Sequence, residues 1–380
     1  MKVLLVAESF PPAQGGVEFA LEKLVEGFIA AGHEVRVITS SWQRHAPTTE
    51  SRGRLTISRF ASSPIFKRLW FQIRALIPAI RWARWADVVQ GSTFAGGPPA
   101  FLGGWLTGKK KALLAHEVLG KRWFRLEPSW IRSLFYLVTE RLIVLLPFDR
   151  YIAPSQYTKD SLLSLGIPAD KVTVIHHGES RLEIPNTTPQ QIRSGLGYNE
   201  NDFVILSYGR TGVTKGFEFL AESMAATLKQ VPEARFLLVL AQYDRRISKR
   251  IRKAASSLPA GVCKLLEPVS RSELASFVAI ADCVVIPSLS EGFGFSAVEA
   301  CAAGRVVITT SAGSLPETVF GRCVFVAPGS ADAITEGCVK AYNGELSFVA
   351  NKTFSWEKCV EGYLRVYDEI AGKGERVSGR

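Results

Sequence analysis

The chain has 380 residues, 47% hydrophobic and 21% charged, which excludes a largely disordered polymer and predicts two folded domains rather than one core. Its net charge of +11 is unevenly placed: residues 52–150 hold 17 Lys and Arg against 5 Asp and Glu, with six of the eight tryptophans. Such a field attracts phosphate, nucleic acid or anionic lipid, and charge alone does not choose among them.

"KVLLVA" opens as a continuous apolar run, the pattern of a strand buried on both faces of a parallel sheet. "VEFALEKLVEGFIAAGHEV" follows with apolar residues at helical spacing, stopped by Gly32, and "EVRVITS" completes a βαβ unit. Strands are predicted at "RLTISRF", "DVVQGS", "ALLAHE", "RYIAPS" and "KVTVIHHG", with a helix at "QYTKDSLLSLG". A Pro-, Asn- and Thr-rich stretch from residue 179 reads as a linker ending in a short helix. A second alternation follows through "FVILSYGR", "ARFLLVLA", "CKLLEPV", "DCVVIPS", "RVVITTS" and "CVFVA". The expected fold class is therefore α/β, with two doubly wound Rossmann-like domains facing a cleft, at 1–180 and 199–361.

The N-terminal apolar run is too short, and too soon followed by Glu8 and two prolines, for a signal peptide. The longest uncharged stretch, 88–108, has Gly and Pro throughout, so no membrane-spanning helix is expected there. All six cysteines lie beyond residue 260, none in a Cys-x-x-Cys pair, and are expected as reduced, buried thiols. The five histidines show no zinc spacing, and no metal site is expected.

Three short motifs carry the chemistry. In "PSLSEGFGFSAVEA" a strand ends in a Pro-Ser turn, and a glycine loop leads into a helix, so Gly292, Phe293, Gly294 and Phe295 sit where free N–H groups favour an anion. Glu291 beside that loop can accept from sugar hydroxyls, and Glu299 along the helix can hold a diol such as a ribose. In "SYGRTGVTKGFEF", Arg210 and Lys215 flank a second strand-to-helix turn, where they can neutralise a diphosphate. Gly15 and Gly16 in "FPPAQGGVE" form another loop able to approach a phosphate or sugar, and "ALLAHE" sets His116 at a strand end. No Walker loop and no Gly-x-Gly-x-x-Gly fingerprint is present.

In their order these motifs, with "APSQYTKD", "GSLPETV" and "FSWEKCVEGYLRVYDEI", resemble those of the retaining GT-B glycosyltransferases of the family 4, bacterial group 1 type, over nearly the full chain. The resemblance implies a nucleotide diphosphate sugar held mainly by the second domain. Arg210 and Lys215 would hold the diphosphate, Glu291 the donor sugar, Glu299 the ribose, and the amides of residues 292–295 the sugar and phosphate. Gly15 and Gly16 would close over the donor, and His116 would contact its sugar near the reacting carbon. It further implies a last helix, about residues 362–380, that crosses back to the first domain, and no metal or other cofactor. "AHE" stands here in place of the family's frequent His-Asp, and "IHHG" in place of its Asn-Gly; His176 and His177 are assigned no role.

"IFKRLWFQIRALIPAIRWARWADVV" sets Lys67, Arg74 and Arg81 on one helical stripe, with Leu69, Ile73, Leu76, Ile77 and Ile80 on another side, and Pro78 is expected to kink or break the helix. Arg, Lys and Trp clustered with Leu and Ile fit an anionic membrane surface. The alternative is that the apolar stripe packs on the sheet and the basic residues are merely solvated. Nucleic acid is not expected as a partner, because no recognisable module accompanies the charge. The expected function is retaining, metal-independent transfer of a hexose to a hydroxyl of a lipid-linked saccharide or glycan, in the cytoplasm and peripheral to the inner membrane face. Two alternatives stand: a transferase making a soluble glycoside, and a non-catalytic nucleotide-sugar-binding subunit.

Overall fold

The computed structural model describes residues 1–13, 15–41, 48–61, 67–179, 182 and 188–372. Most of the first part of the predicted linker, and everything after residue 372 in the predicted last helix, lie outside these residues. The chain divides into two compact units, Met1–Gly178 with Phe354–Arg380, and Glu179–Thr353. The second unit thus begins before the predicted residue 199, and the chain re-enters the first unit at Phe354 rather than near 362.

The first unit runs β1 (Lys2–Val6), α1 (Gly16–Ala30), β2 (Glu34–Ser41), β3 (Thr49–Arg52), β4 (Leu55–Ala61), α2 (Lys67–Ala83) and β5 (Val88–Ser92). It continues through α3 (Gly97–Thr107), β6 (Lys110–Leu114), α4 (Trp123–Leu126), α5 (Trp130–Val144), β7 (Arg150–Ala153), α6 (Gln156–Ser164) and β8 (Val172–Val174). Its sheet has the order β3-β4-β2-β1-β5-β6-β7-β8, parallel except for the edge strand β3, which the sequence reading missed. From β1 the chain steps one way to β2, and from β4 onward it steps the other way, so right-handed crossovers put α1 on one face and α2, α3, α5 and α6 on the other. The cores agree: Leu21, Leu24 and Phe28 of α1 pack on one face, while Phe71, Ala75 and Ala79 of α2 pack on the other.

The second unit runs α7 (Pro189–Gly195), β9 (Phe203–Arg210), α8 (Phe217–Gln230), β10 (Ala234–Ala241), α9 (Arg245–Ser256), β11 (Cys263–Leu266) and α10 (Arg271–Ile280). It ends with β12 (Cys283–Ile286), α11 (Phe295–Ala302), β13 (Val306–Thr310), α12 (Leu315–Thr318), β14 (Gly321–Val326), α13 (Ala331–Asn343) and β15 (Ser347–Val349). Its sheet order is β11-β10-β9-β12-β13-β14-β15, and only the edge strand β15 is antiparallel. α7 belongs here because Arg193 reaches from it to the carbonyls of Asp202 and Ile280 and to Asp282 at 2.8 Å.

The last helix, α14 (Trp356–Ala371), starts at Ser355, whose hydroxyl accepts from the Lys358 amide. It lays Tyr363, Val366 and Tyr367 against α1 in the core of the first unit, and the Tyr367 hydroxyl donates to Gln90 of β5. Two fully buried tyrosines and their aliphatic neighbours hold this helix in place, each buried aliphatic side chain contributing about 1.5–3 kcal/mol. Cys263 is partly buried and the other five cysteines are buried; all are free thiols. Among the described residues no helix is long and apolar enough to cross a membrane: the uncharged stretch 88–108 is divided into β5 and α3.

Candidate functional site

In the second unit β9 and β12 are neighbours, Ile205 opposite Cys283 and Leu206 opposite Val284. The chain leaves β9 toward one edge and β12 toward the other, so the carboxyl ends of these two strands flank a topological switch point, where open parallel sheets bind ligands. The loops that follow are joined: the Thr214 carbonyl accepts from the amides of Leu289 (2.7 Å) and Ser290 (3.2 Å). Gly216 makes this contact feasible. It has φ +65, and a Cβ there would lie 2.0 Å from the Pro287 carbonyl oxygen.

On this platform Lys215 Nζ donates to Glu291 Oε1 at 2.7 Å, and Ser288 Oγ donates to the same oxygen at 2.8 Å. A third loop supports Glu291 from behind. Gly313 has φ +66, and a Cβ there would stand 2.4 Å from both the amide nitrogen and the carbonyl oxygen of Glu291; the next amide, of Ser314, donates to that carbonyl. Gly292, Phe293 and Gly294 are buried, Gly294 caps α11 in the left-handed conformation, and the Phe293 and Phe295 rings meet edge to face at 5.1 Å. The N-termini of α8 and α11 thus both open beside the switch point, presenting the positive ends of their dipoles.

Glu299 is buried in α11. Its carboxylate accepts from Arg271 Nη2 at 3.0 Å and from the Tyr208 hydroxyl at 3.4 Å. Burial raises its carboxyl above the ordinary value, against the opposing pull of Arg271. Burial, reinforced by Glu299, pushes the Tyr208 phenol well above its usual range, so Tyr208 is a hydrogen-bond donor at every working pH. Arg210 closes β9 with its guanidinium over the Tyr243 ring, 5.8 Å from the centroid.

In the first unit the switch point lies between β1 and β5. Gly15 and Gly16 open α1 after β1, and the buried Glu18 stands in its first turn. His116 follows β6; its amide donates to Thr93 Oγ1 (3.1 Å), and its Nε2 shares a hydrogen bond with Ser92 Oγ (2.8 Å). Burial pushes the imidazole down to about 4, although the Glu18 charge works the other way, so the ring is neutral at pH 7. His177, for which no role was expected, sits 6.3 Å from the His116 ring and stacks on Trp356 at 5.9 Å. Burial first, and then the neighbouring His116 and His176, lower its imidazole to about 3.

Lys67, Arg74 and Arg81 are exposed on α2, but the helix is not the expected one. It runs unbroken through Pro78, and its buried stripe is Phe71, Ala75, Ala79 and Ala83. Small residues win because α3 approaches closely: a Cβ on Gly103 would stand 3.0 Å from the Ala79 carbonyl. Leu69, Ile73 and Ile77 are exposed and Leu76 and Ile80 half-buried, so the stripe that packs inward is not the predicted one.

Sequence reasoning missed Arg271, Tyr208, Ser288 and His177. The His-His doublet was a usable signal, and Ser288 lies three residues before Glu291; Arg271 and Tyr208 become visible only once β9, α10 and α11 are neighbours.

Known proteins point the same way. Residues 14–178 match the model of Glycosyltransferase Family 4, and residues 189–352 that of Glycosyl transferases group 1. An uncharacterized glycosyltransferase of Methanocaldococcus jannaschii is 31% identical over 234 residues, 59% of this chain; the chain spans 60% of that relative's length. The sucrose-phosphate synthase structure from Thermosynechococcus elongatus superposes with a TM-score of 0.77 at 19% identity, covering 98% of this chain and 99% of that one. Anabaena HepE in complex with UDP-glucose does so with a TM-score of 0.72 at 18% identity, with 98% of both chains covered. The two parallel α/β units have the GT-B glycosyltransferase fold, and with one family model on each half the chain belongs to the family 4, group 1 glycosyltransferases.

Proposed function

We propose that this protein transfers a hexose, with retention of anomeric configuration and without a metal, from a nucleotide diphosphate sugar to a hydroxyl of a lipid-linked saccharide or glycan. The observation that carries the reading is the switch point in the second unit, where a lysine, two carboxylates and two helix N-termini share one platform. Lys215, Arg210 and the helix dipoles meet the negative charge that develops on the leaving diphosphate, which is the work a metal would otherwise do. Glu291, its charge offset by Lys215 and Ser288, accepts from donor-sugar hydroxyls, and Glu299 accepts from the ribose diol. Residues 292–295 offer backbone amides, and His116, Gly15 and Gly16 keep the donor-sugar roles that the resemblance implies. A neutral His116 suits hydrogen bonding rather than proton donation.

In the transfer step the bond from the anomeric carbon to the diphosphate oxygen breaks, and a bond to the acceptor oxygen forms on the same face. The leaving phosphate takes the acceptor's proton. Glu291 is given no nucleophilic role in this step; its Oε1 accepts from Lys215 and Ser288.

HepE's complex with UDP-glucose supports the donor class, and the exposed apolar and basic face of the first unit supports a membrane-borne acceptor at the cytoplasmic face. A soluble product is the second reading, favoured by the likeness to sucrose-phosphate synthase. The test is a thermal-shift panel of UDP-, GDP-, ADP- and TDP-sugars in EDTA. A ligand that binds the native state alone raises Tm. One nucleotide class stabilising without metal is expected; stabilisation only on adding a divalent ion overturns metal independence, and no response from any donor counts against the donor site.

A further inference from the structure

Among the described residues, fourteen of the nineteen exposed large hydrophobic side chains fall between Leu69 and Leu145 of the first unit. They are not scattered. On α5 the inward arc carries Ser133, Glu140, Ile143 and Val144, while Ile131, Leu134, Phe135, Val138 and Leu142 face outward, so this helix turns its broad apolar side away from the core. On α2 the outward arc interleaves Trp70, Ile73 and Ile77 with Arg74 and Arg81, and the exposed Arg84 follows directly after it. Both helices lie on the same face of the sheet, with α3 packed between them and ending in the exposed Trp105 and Leu106. The exposed Lys121 and Arg125 precede α5, and the exposed Arg132 and Arg141 lie on it.

We propose that the outer faces of α2, α5 and the end of α3 form one docking surface that sits among the headgroups of an anionic bilayer, and that Glu140 fixes the loop behind His116 to it. The purpose of this surface rests on the lipid-linked acceptor proposed above; its geometry does not. The occupant follows from charge: aliphatic and indole side chains set between arginines match acyl chains beneath anionic headgroups, whereas a water-exposed face of this composition is disfavoured.

The link to the site is built from the other side of α5. Glu140 Oε1 accepts from the Gly120 amide at 2.6 Å; Oε2 accepts from the Leu119 amide at 3.2 Å and from Trp123 Nε1 at 3.0 Å. Ser133 Oγ adds bonds to the carbonyls of Trp123 (3.0 Å) and Glu127 (3.1 Å). The loop that starts at His116 is thus tied to the inner face of the helix whose outer face meets lipid.

The test is sedimentation of the full chain with phosphatidylcholine vesicles, with and without phosphatidylglycerol. Binding to the anionic vesicles alone, weakened by salt, is expected. A triple Ile77→Ser, Phe135→Ser, Leu142→Ser variant and a triple Lys67→Gln, Arg74→Gln, Arg81→Gln variant should each weaken it about tenfold or more, with unchanged Tm and donor-induced Tm shift. Amide exchange over residues 117–123 should slow when vesicles are added. Absence of binding, binding unaltered in both variants, or a concentration-dependent dimer abolished by the same changes without any vesicle binding would overturn the docking surface. Exchange that vesicles do not alter overturns the link through Glu140. Vesicle binding without any donor-induced shift would leave the surface standing and count against the donor reading.

Discussion

Lys215 and Glu291, 76 residues apart in the chain, form a 2.7 Å ion pair on two loops joined by the Thr214 carbonyl. The pair sits at the mouth of the β9–β12 switch point, so the cation expected to meet a diphosphate and the carboxylate expected to meet a sugar stand side by side.

Replacing Lys215 should separate binding from stability. About a third of the lysine side chain is exposed, so the pair contributes only about 0–1 kcal/mol to folding. Lys215→Met is expected to leave the ligand-free Tm nearly unchanged and to weaken nucleotide-sugar binding about tenfold or more, read by titration calorimetry. Normal donor affinity would remove Lys215 from the diphosphate site.

Glu299 makes a pH-dependent prediction. Burial raises its folded-state value above the ordinary one. Below the ordinary value both folded and unfolded chains carry the proton. Between the two values the folded chain holds more of it, so the contribution to stability falls as pH rises through that window. Glu299→Gln should therefore gain Tm relative to wild type as pH climbs above the ordinary value of 4.5, while donor binding is lost. A Tm difference that is flat with pH would refute the buried-charge account.

The two depressed histidines act in the opposite sense. Unfolded His177 protonates near pH 6.5, folded His177 only near about 3, and His116 behaves likewise with a folded value of about 4. Between those limits the unfolded chain binds more protons, so stability is lost as pH falls, at about 1.4 kcal/mol per pH unit for each group. His177→Phe, which can keep a stack on Trp356, should flatten the decline in Tm between pH 7 and 5. An identical decline in the variant would show that His177 is not protonated on unfolding.

Gly216→Ala introduces a Cβ against the Pro287 carbonyl and a left-handed alanine together. A loss of about 2 kcal/mol or more is expected in urea unfolding, with donor binding impaired because the joined loops must part. A loss below about 0.5 kcal/mol would mean that the platform yields readily.

The sequence determined a great deal of this by local chemistry. β-branched runs such as "VVITT" read as strands buried on both faces, and a glycine loop between such a strand and an apolar-periodic segment reads as a helix N-terminus. Hence the two α/β halves were legible without coordinates, as was the placement of Lys215 and Glu291 at strand-to-helix turns and of Glu299 along the helix that follows. The edge strands β3 and β15 were not, because short antiparallel edges of three or four mostly exposed residues carry no apolar alternation.

Only the tertiary structure decided the rest. Arg271 and Tyr208 meet Glu299 because α10 and β9 are brought beside α11, a pairing that no local spacing encodes. α14 returns to α1 because burying Tyr363 and Tyr367 there outweighs leaving them in water. And α2 buries Phe71 and its alanines rather than its isoleucines because α3 lies close at Ala79, leaving Leu69, Trp70, Ile73 and Ile77 facing outward. Periodicity shows that a helix has an apolar stripe; which stripe turns inward depends on the shape of what it packs against.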